Sequence, residues 1–266
     1  MATTATPATG IPATGTRGRF SWHELMTSDT AAARAFYEDV VGWTTKKSDV
    51  GDMDYTLLMS GETPVGGLMA NPTEAVAMGA PPNWLAYIEV PNVDETIEQA
   101  LKLGGKVLAP AQTIAGAGRF AVLQDPQGAV FGIITSEMPL RPETEPAPLE
   151  FFWHELTTSD QAAAIKFYEQ LFGWEKKREF DMGPMGIYHL YGRGEFTYGG
   201  IMQKTPDGPG TYWQHYVRVR DSADAAAERA KKAGAKLMVG PMEVPGGDRV
   251  AILTDPQGAV FAVHSK

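Results

Sequence analysis

The chain contains no cysteine, which excludes structural disulfides, thiolate metal sites and a cysteine nucleophile. Positive charge is scarce: 23 Lys and Arg stand against 32 Asp and Glu, a formal net charge of −9. Nucleic-acid binding needs a basic patch, so the balance argues against that partner class. No apolar run approaches the ~20 residues needed to span a bilayer. The N-terminus also lacks the basic and apolar regions of a signal peptide. These absences lead to the expectation of a cytoplasmic chain without nucleic-acid or membrane partners.

The residues present are enough for a full core, with 43% hydrophobic and 21% charged. Residues 1–18 (MATTATPATGIPATGTRG) are a low-complexity run of Ala, Thr, Pro and Gly. With few bulky side chains it cannot offset its own ordering entropy, so a disordered tail is predicted there. The remainder is duplicated. FSWHELMTSDTAAARAFYEDVVGW matches FFWHELTTSDQAAAIKFYEQLFGW, and DPQGAVF occurs at 125–131 and again at 255–261. A period of about 130 residues is too long for a solenoid repeat, so two copies of one domain are expected, at 19–137 and 150–266. The Pro- and Glu-rich segment 138–149 is the predicted linker, extended and exposed.

Each copy reads as strand, helix and short strands, twice over. FSWHEL alternates as a strand, and Ser28-Asp29 and Ser159-Asp160 offer N-cap side chains for helices that Gly42 and Gly173 end. Short glycine turns between consecutive strands require antiparallel pairing. The reading is an α+β chain of tandem domains, each of two βαβββ modules with mainly antiparallel sheets.

That module order, with FYEDVVGW after the first strand and DPQG before the last, resembles the vicinal oxygen chelate superfamily, which includes glyoxalase I, the bleomycin and fosfomycin resistance proteins and extradiol dioxygenases. More narrowly, the chain is similar to two-domain glyoxalase-like proteins of actinobacteria. The resemblance implies sheets curled into a cup. It also implies where a divalent metal would be held, by side chains of the first, fifth and eighth strands. Those positions fall at Trp22, Leu85 and Gly132 in the first copy, and at Trp153, Gln214 and Ala262 in the second. Only Gln214 carries a donor, so no metal is expected at these positions or at any of the five histidines, and no other cofactor is expected. His23, His154 and His215 adjoin these positions. A strand period of two sends them to the opposite face, and His189 and His264 have no histidine counterparts.

Trp22 and Glu24, and likewise Trp153 and Glu155, are expected to line the cups. Leu85, Tyr87 and Glu89 share their face in the first copy; Gln214, Tyr216 and Arg218 do so in the second. Glu89 against Arg218 reverses the charge, so the two cups are not expected to bind one ligand equally. Arg119 and Arg249, at the starts of the seventh strands, are candidate partners for an anionic ligand or simple surface ion pairs. The functional expectation is metal-independent binding of a small organic molecule in an aromatic-walled cup, by a monomer or homodimer. The alternatives are a metal-dependent glyoxalase-like lyase, hydroxylase or dioxygenase, and a non-catalytic interaction scaffold.

Overall fold

A computed structural model describes residues 17–51, 53–208 and 210–266. The first copy runs β1 (Phe20–Thr27), α1 (Thr30–Val40), β2 (Thr44–Lys47), β3 (Thr56–Ser60), β4 (Thr63–Ala70), a short α2 (Thr73–Ala77), β5 (Asn83–Glu89), α3 (Val93–Lys102), β6 (Lys106–Ile114), β7 (Gly118–Gln124) and β8 (Val130–Ser136). The second runs β9 (Phe151–Thr158), α4 (Gln161–Phe172), β10 (Glu175–Asp181), β11 (Ile187–Arg193), β12 (Phe196–Gln203), β13 (Tyr212–Arg218), α5 (Ala223–Lys232), β14 (Lys236–Glu243), β15 (Arg249–Thr254) and β16 (Val260–Ser265). The expected βαβββ order is present four times.

Each copy closes one eight-stranded sheet, in the orders β2-β3-β4-β1-β5-β8-β7-β6 and β10-β11-β12-β9-β13-β16-β15-β14. The two modules of a copy therefore pair with each other, through antiparallel β1–β5 and β9–β13 contacts. Hairpins are antiparallel as the glycine turns require. The returns β1–β4, β5–β8, β9–β12 and β13–β16 are parallel.

The helices form where the caps predict. Asp29 accepts from Ala32 N at 3.0 Å and Asp160 from Ala163 N at 3.0 Å. Ala33, Phe36, Tyr37 and Val40 bury one face of α1. Gly173 ends α4 at φ +70°, a left-handed conformation that glycine adopts without steric cost.

These apolar helix faces do not stay within their own copy. Residues of α1, β1 and β4 share one core with α5, β15 and β16, while α3, β7 and β8 share a second with α4 and Trp174. Each buried Leu, Phe or Val in them contributes roughly 1.5–3 kcal/mol. The helix-covered faces of the two sheets thus face each other across the junction. The repeated FYE and DPQG motifs meet there. Tyr37 Oη donates to Asp255 Oδ2 at 3.0 Å, and Tyr168 Oη donates to Asp125 Oδ2 at 2.9 Å. Trp84 Nε1 and Trp213 Nε1 donate to the same tyrosine hydroxyls at 2.9 and 3.1 Å. The other carboxylate oxygen of each aspartate caps its own turn, Asp125 taking Gln127 N and Ala129 N at 2.9 and 2.8 Å. The heptapeptide is repeated because its aspartate both builds a turn and receives the other copy's tyrosine.

Residues 1–16 of the expected tail lie outside the described residues. Arg17 and Gly18, which that expectation included, are docked on the second copy: Arg17 donates to Leu171 O at 2.7 Å, and Trp174 Nε1 donates to Gly18 O at 2.7 Å. The linker is largely exposed, but its last residue, Leu149, is buried and accepts from Trp43 Nε1 at 2.8 Å. Among the described residues no helix is long and apolar enough to cross a membrane.

Candidate functional site in two aromatic cups

The helix-free face of each sheet is built around one carboxylate. In β1, Trp22 and Glu24 project to this face and stand beside Tyr87 and Leu85 of β5. Tyr55, just before β3, lays its ring over Gly67 of β4, where a Cβ would meet the hydroxyl at 1.9 Å. From there Tyr55 Oη donates to Glu24 Oε2 at 2.9 Å and accepts from Trp22 Nε1 at 2.8 Å. Tyr87 Oη donates to Glu24 Oε1 at 3.1 Å. The second copy repeats the arrangement: Trp153 Nε1 donates to Tyr188 at 2.9 Å, Tyr188 to Glu155 Oε2 at 2.7 Å and Tyr216 to Glu155 Oε1 at 3.4 Å. Gly200 gives Tyr188 the room that Gly67 gives Tyr55. Tyr55 and Tyr188 were not among the expected site residues; the Gly-Gly pairs that accommodate them were the signal available in the sequence.

Burial raises the Glu24 and Glu155 carboxyls above the ordinary value, and the phenol hydrogen bonds only partly oppose it. The neighbouring phenols are pushed well above their usual range by the same burial, so they remain donors. Each cup therefore presents one half-buried carboxyl held between two tyrosines and flanked by a tryptophan. Such a group accepts hydrogen bonds from a ligand, and when protonated it donates one.

The two cups differ beyond this shared centre. Leu85 stands beside Glu24, whereas buried Gln214 stands beside Glu155. At the far end, Glu89 takes the Ser136 hydroxyl and amide in the first cup. In the second, Arg218 pairs in register with His264 but reaches to the linker, donating to Pro146 O at 2.6 Å. His264 lies on the cup face with Ala262, where its Nε2 is 2.9 Å from Asp248 Oδ2 and its ring packs on Phe152. Lacking a counterpart in the first copy, His264 was not expected in the cup; its spacing of two from Ala262 was the available signal. The first cup adds Phe120, edge-on to Tyr87 with centroids 5.9 Å apart.

Arg119 and Arg249 lie elsewhere. Phe120 faces the cup, so its strand neighbour Arg119 faces the helices, where it grips Asp94 of α3 with bonds of 2.9 and 2.7 Å. Arg249 holds Asp224 of α5 in the same way, at 2.6 and 2.8 Å. These are exposed ion pairs at helix N-termini, which separates both arginines from the cups.

The residues at the family's metal positions in the first cup do not fit a metal, and in the second only Gln214 carries a donor atom. Trp22 Nε1 is a donor already engaged with Tyr55, and Leu85 has no polar atom. A Cβ at Gly132 would stand 2.3 Å from the Tyr87 ring, so no longer side chain is accommodated there. His23, His154 and His215 face away from the cups. A bulge does occur in both first strands, but at Ser21 and Phe152, ahead of the histidines. It turns Phe20 and Phe151 to the junction, where they stack on His154 and His23 at 3.7 and 4.1 Å.

Comparison with known proteins agrees with this architecture. The model of the Glyoxalase/Bleomycin resistance protein/Dioxygenase superfamily matches residues 19–133 and 151–263. CFP32 of Mycobacterium bovis, a provisionally named glyoxylase, is 31% identical over 249 residues, covering 93% of this chain and 94% of its own. The anthracycline biosynthesis protein DnrV of Streptomyces peucetius is 28% identical, with 92% of each chain covered. Among solved structures, the Mn(II)-bound glyoxalase of Novosphingobium aromaticivorans superposes with a TM-score of 0.63 at 17% identity, over 94% of this chain and 82% of that one. The 2,2',3-trihydroxybiphenyl 1,2-dioxygenase of Sphingomonas wittichii gives 0.65 at 12% identity, over 94% and 90%. With the family model covering both copies, the chain belongs to the Glyoxalase/Bleomycin resistance protein/Dioxygenase superfamily.

Proposed function

We propose that the chain binds a small, largely aromatic organic molecule in its cups, without a cup metal. The observation that carries this reading is the carboxyl of Glu24 held between Tyr55 and Tyr87, repeated by Glu155 between Tyr188 and Tyr216. A flat ring stacks on Trp22 or Trp153 while a hydroxyl or amine of the same molecule bonds the carboxyl. Aromatic walls with a small number of oriented polar groups are the usual make-up of a small-molecule site. The donor-poor Trp22, Leu85 and Gly132 positions support metal independence. The relatives named for anthracycline biosynthesis make planar phenolic anthraquinones the first probes.

The test is quenching of tryptophan fluorescence by a hydroxylated anthraquinone. Saturable binding is expected, weakened about tenfold by Glu24→Gln with Glu155→Gln, the loss of roughly 1.4 kcal/mol that one hydrogen bond contributes. Unsaturable quenching, or binding indifferent to both substitutions and to Trp22→Ala with Trp153→Ala, would overturn the reading.

A second reading, acid–base catalysis by the same carboxyls, is favoured by their raised pKa. It is checked by offering an α-ketoaldehyde with a thiol to the metal-free protein and following consumption. Turnover abolished by Glu24→Gln with Glu155→Gln supports it.

A further inference from the structure

The junction between the copies holds a group that the cups do not use. His23 of β1, His154 of β9 and His215 of β13 are each at most 5% exposed, and one ring nitrogen from each lies within 4.8 Å of the others. His154 Nδ1 and His215 Nδ1 are 3.2 Å apart. The rings of His23 and His154 stack with centroids at 5.0 Å, and His215 stands across both at 5.4 and 5.3 Å. His23 Nε2 is buried and has no hydrogen-bond partner. A buried imidazole nitrogen without a partner is costly, and two histidines lie beside it.

We propose that these three histidines bind one late first-row transition-metal ion per chain, with copper(I) the best-matched ion. Imidazole is a ligand for zinc, copper and nickel. Metal–nitrogen bonds of about 2.0–2.1 Å place tetrahedral ligand atoms roughly 3.4 Å apart. The His154–His215 pair already stands near that separation, at 3.2 Å, and His23 offers a third nitrogen within 4.8 Å of the other two residues' ligand atoms. All three imidazoles are buried side by side, and imidazole ligates in its neutral form. Phe20 and Phe151 cover the rings of His154 and His23, and the three ligands carry no negative charge. Born cost rises with the square of the charge, so a monovalent ion is buried at about one quarter of the cost of a divalent one. Copper(I) therefore suits this site better than zinc(II).

The duplication makes the stoichiometry diagnostic. The position of His215 is Ala86 in the first copy, paired with His23 as His215 is paired with His154. The junction therefore supplies three histidines and one site, although the βαβββ modules around it are duplicated.

The experiment uses the full chain, stripped with chelator, and offers copper(I) anaerobically in competition with bicinchoninate, and zinc(II) in a parallel arm. Each ion is supplied to the folded protein and during refolding, since the site is enclosed. One ion per chain is expected, with a raised Tm. Loss of one ligand should cost more than the 10–100-fold typical of an outer-shell partner, so His215→Ala is expected to weaken binding by at least about 100-fold. Alanine already occupies that place in the first copy, and His23→Gln serves as a second variant with a similar side-chain volume. Glu24→Gln is expected to leave the stoichiometry unchanged. Zinc bound at one per chain and lost in His215→Ala also supports the site and reassigns the ion. Failure of both ions to bind stoichiometrically by either route, or binding undiminished in both histidine variants, would overturn it.

Discussion

Tyr37 donates its hydroxyl hydrogen to Asp255 at 3.0 Å across the junction, from the first helix of one copy to the last turn of the other. Trp84 donates to the Tyr37 hydroxyl oxygen at 2.9 Å, so the buried phenol both donates and accepts. Tyr37→Phe strands both the indole N–H and one carboxylate oxygen. A loss of about 1–3 kcal/mol is expected, read by urea denaturation. Tyr168→Phe should cost a similar amount, and with no shared partner the two losses should add. A double variant as stable as the wild type would show that the junction does not depend on these bonds.

Gly132 and Ala262 are counterparts with different freedom. A methyl at Gly132 would stand 2.3 Å from the Tyr87 ring. Over Ala262, Tyr216 is 3.4 Å from its glutamate, whereas Tyr87 over glycine is 3.1 Å from its own. Gly132→Ala is expected to destabilise by about 1–3 kcal/mol through overpacking and to weaken ligand binding in the first cup alone. Ala262→Gly should shorten the Tyr216–Glu155 bond. Denaturation and fluorescence titration of the two single variants provide the check.

Stability should depend on pH through the cup carboxyls. Burial raises the folded pKa of Glu24 and Glu155 above 4.5. The fold therefore favours the protonated acid. Its contribution is fully present below the unfolded value and is lost as pH rises through the folded one. The stability of the wild type relative to Glu24→Gln with Glu155→Gln should be greatest below pH 4.5 and fall as pH increases. Urea titrations at a series of pH values would reveal the opposite slope if the phenols, instead of burial, dominated.

Neither copy encloses its own helices, since both cores draw on both copies. Residues 19–137 expressed alone are expected to associate or aggregate, and to recover a cooperative transition on mixing with 150–266. Sedimentation velocity with thermal denaturation tests this. A stable, monomeric half would contradict the shared cores.

Much of this was legible in the sequence. The duplication and the module order follow from the repeats, and the cup positions of Trp22, Glu24 and Tyr87 from the family resemblance together with a strand period of two. Three things were not. Tyr55 and Tyr188 reach their glutamates by crossing Gly67 and Gly200 of the neighbouring strand, a close approach that alternation along one strand does not specify. The reciprocal Tyr37–Asp255 and Tyr168–Asp125 bonds join motifs from different copies, and pattern within one copy does not specify a partner in the other. The three histidines were rightly sent to the face opposite the cup, but a single strand does not show that two such faces converge. Arg119 and Arg249 could have been placed: each has an aspartate at the head of the preceding helix, Asp94 and Asp224, in both copies.

The asymmetry at positions 86 and 215 has a consequence for how such a chain diverges. Were the same junction formed by two identical polypeptides, every substitution would appear on both sides of the dyad, and the centre would hold either two histidines or four. Joining the halves in one chain removes that constraint. An odd number of ligands becomes possible, and each cup is free to follow its own ligand while the reciprocal tyrosine–aspartate bonds keep the pair together.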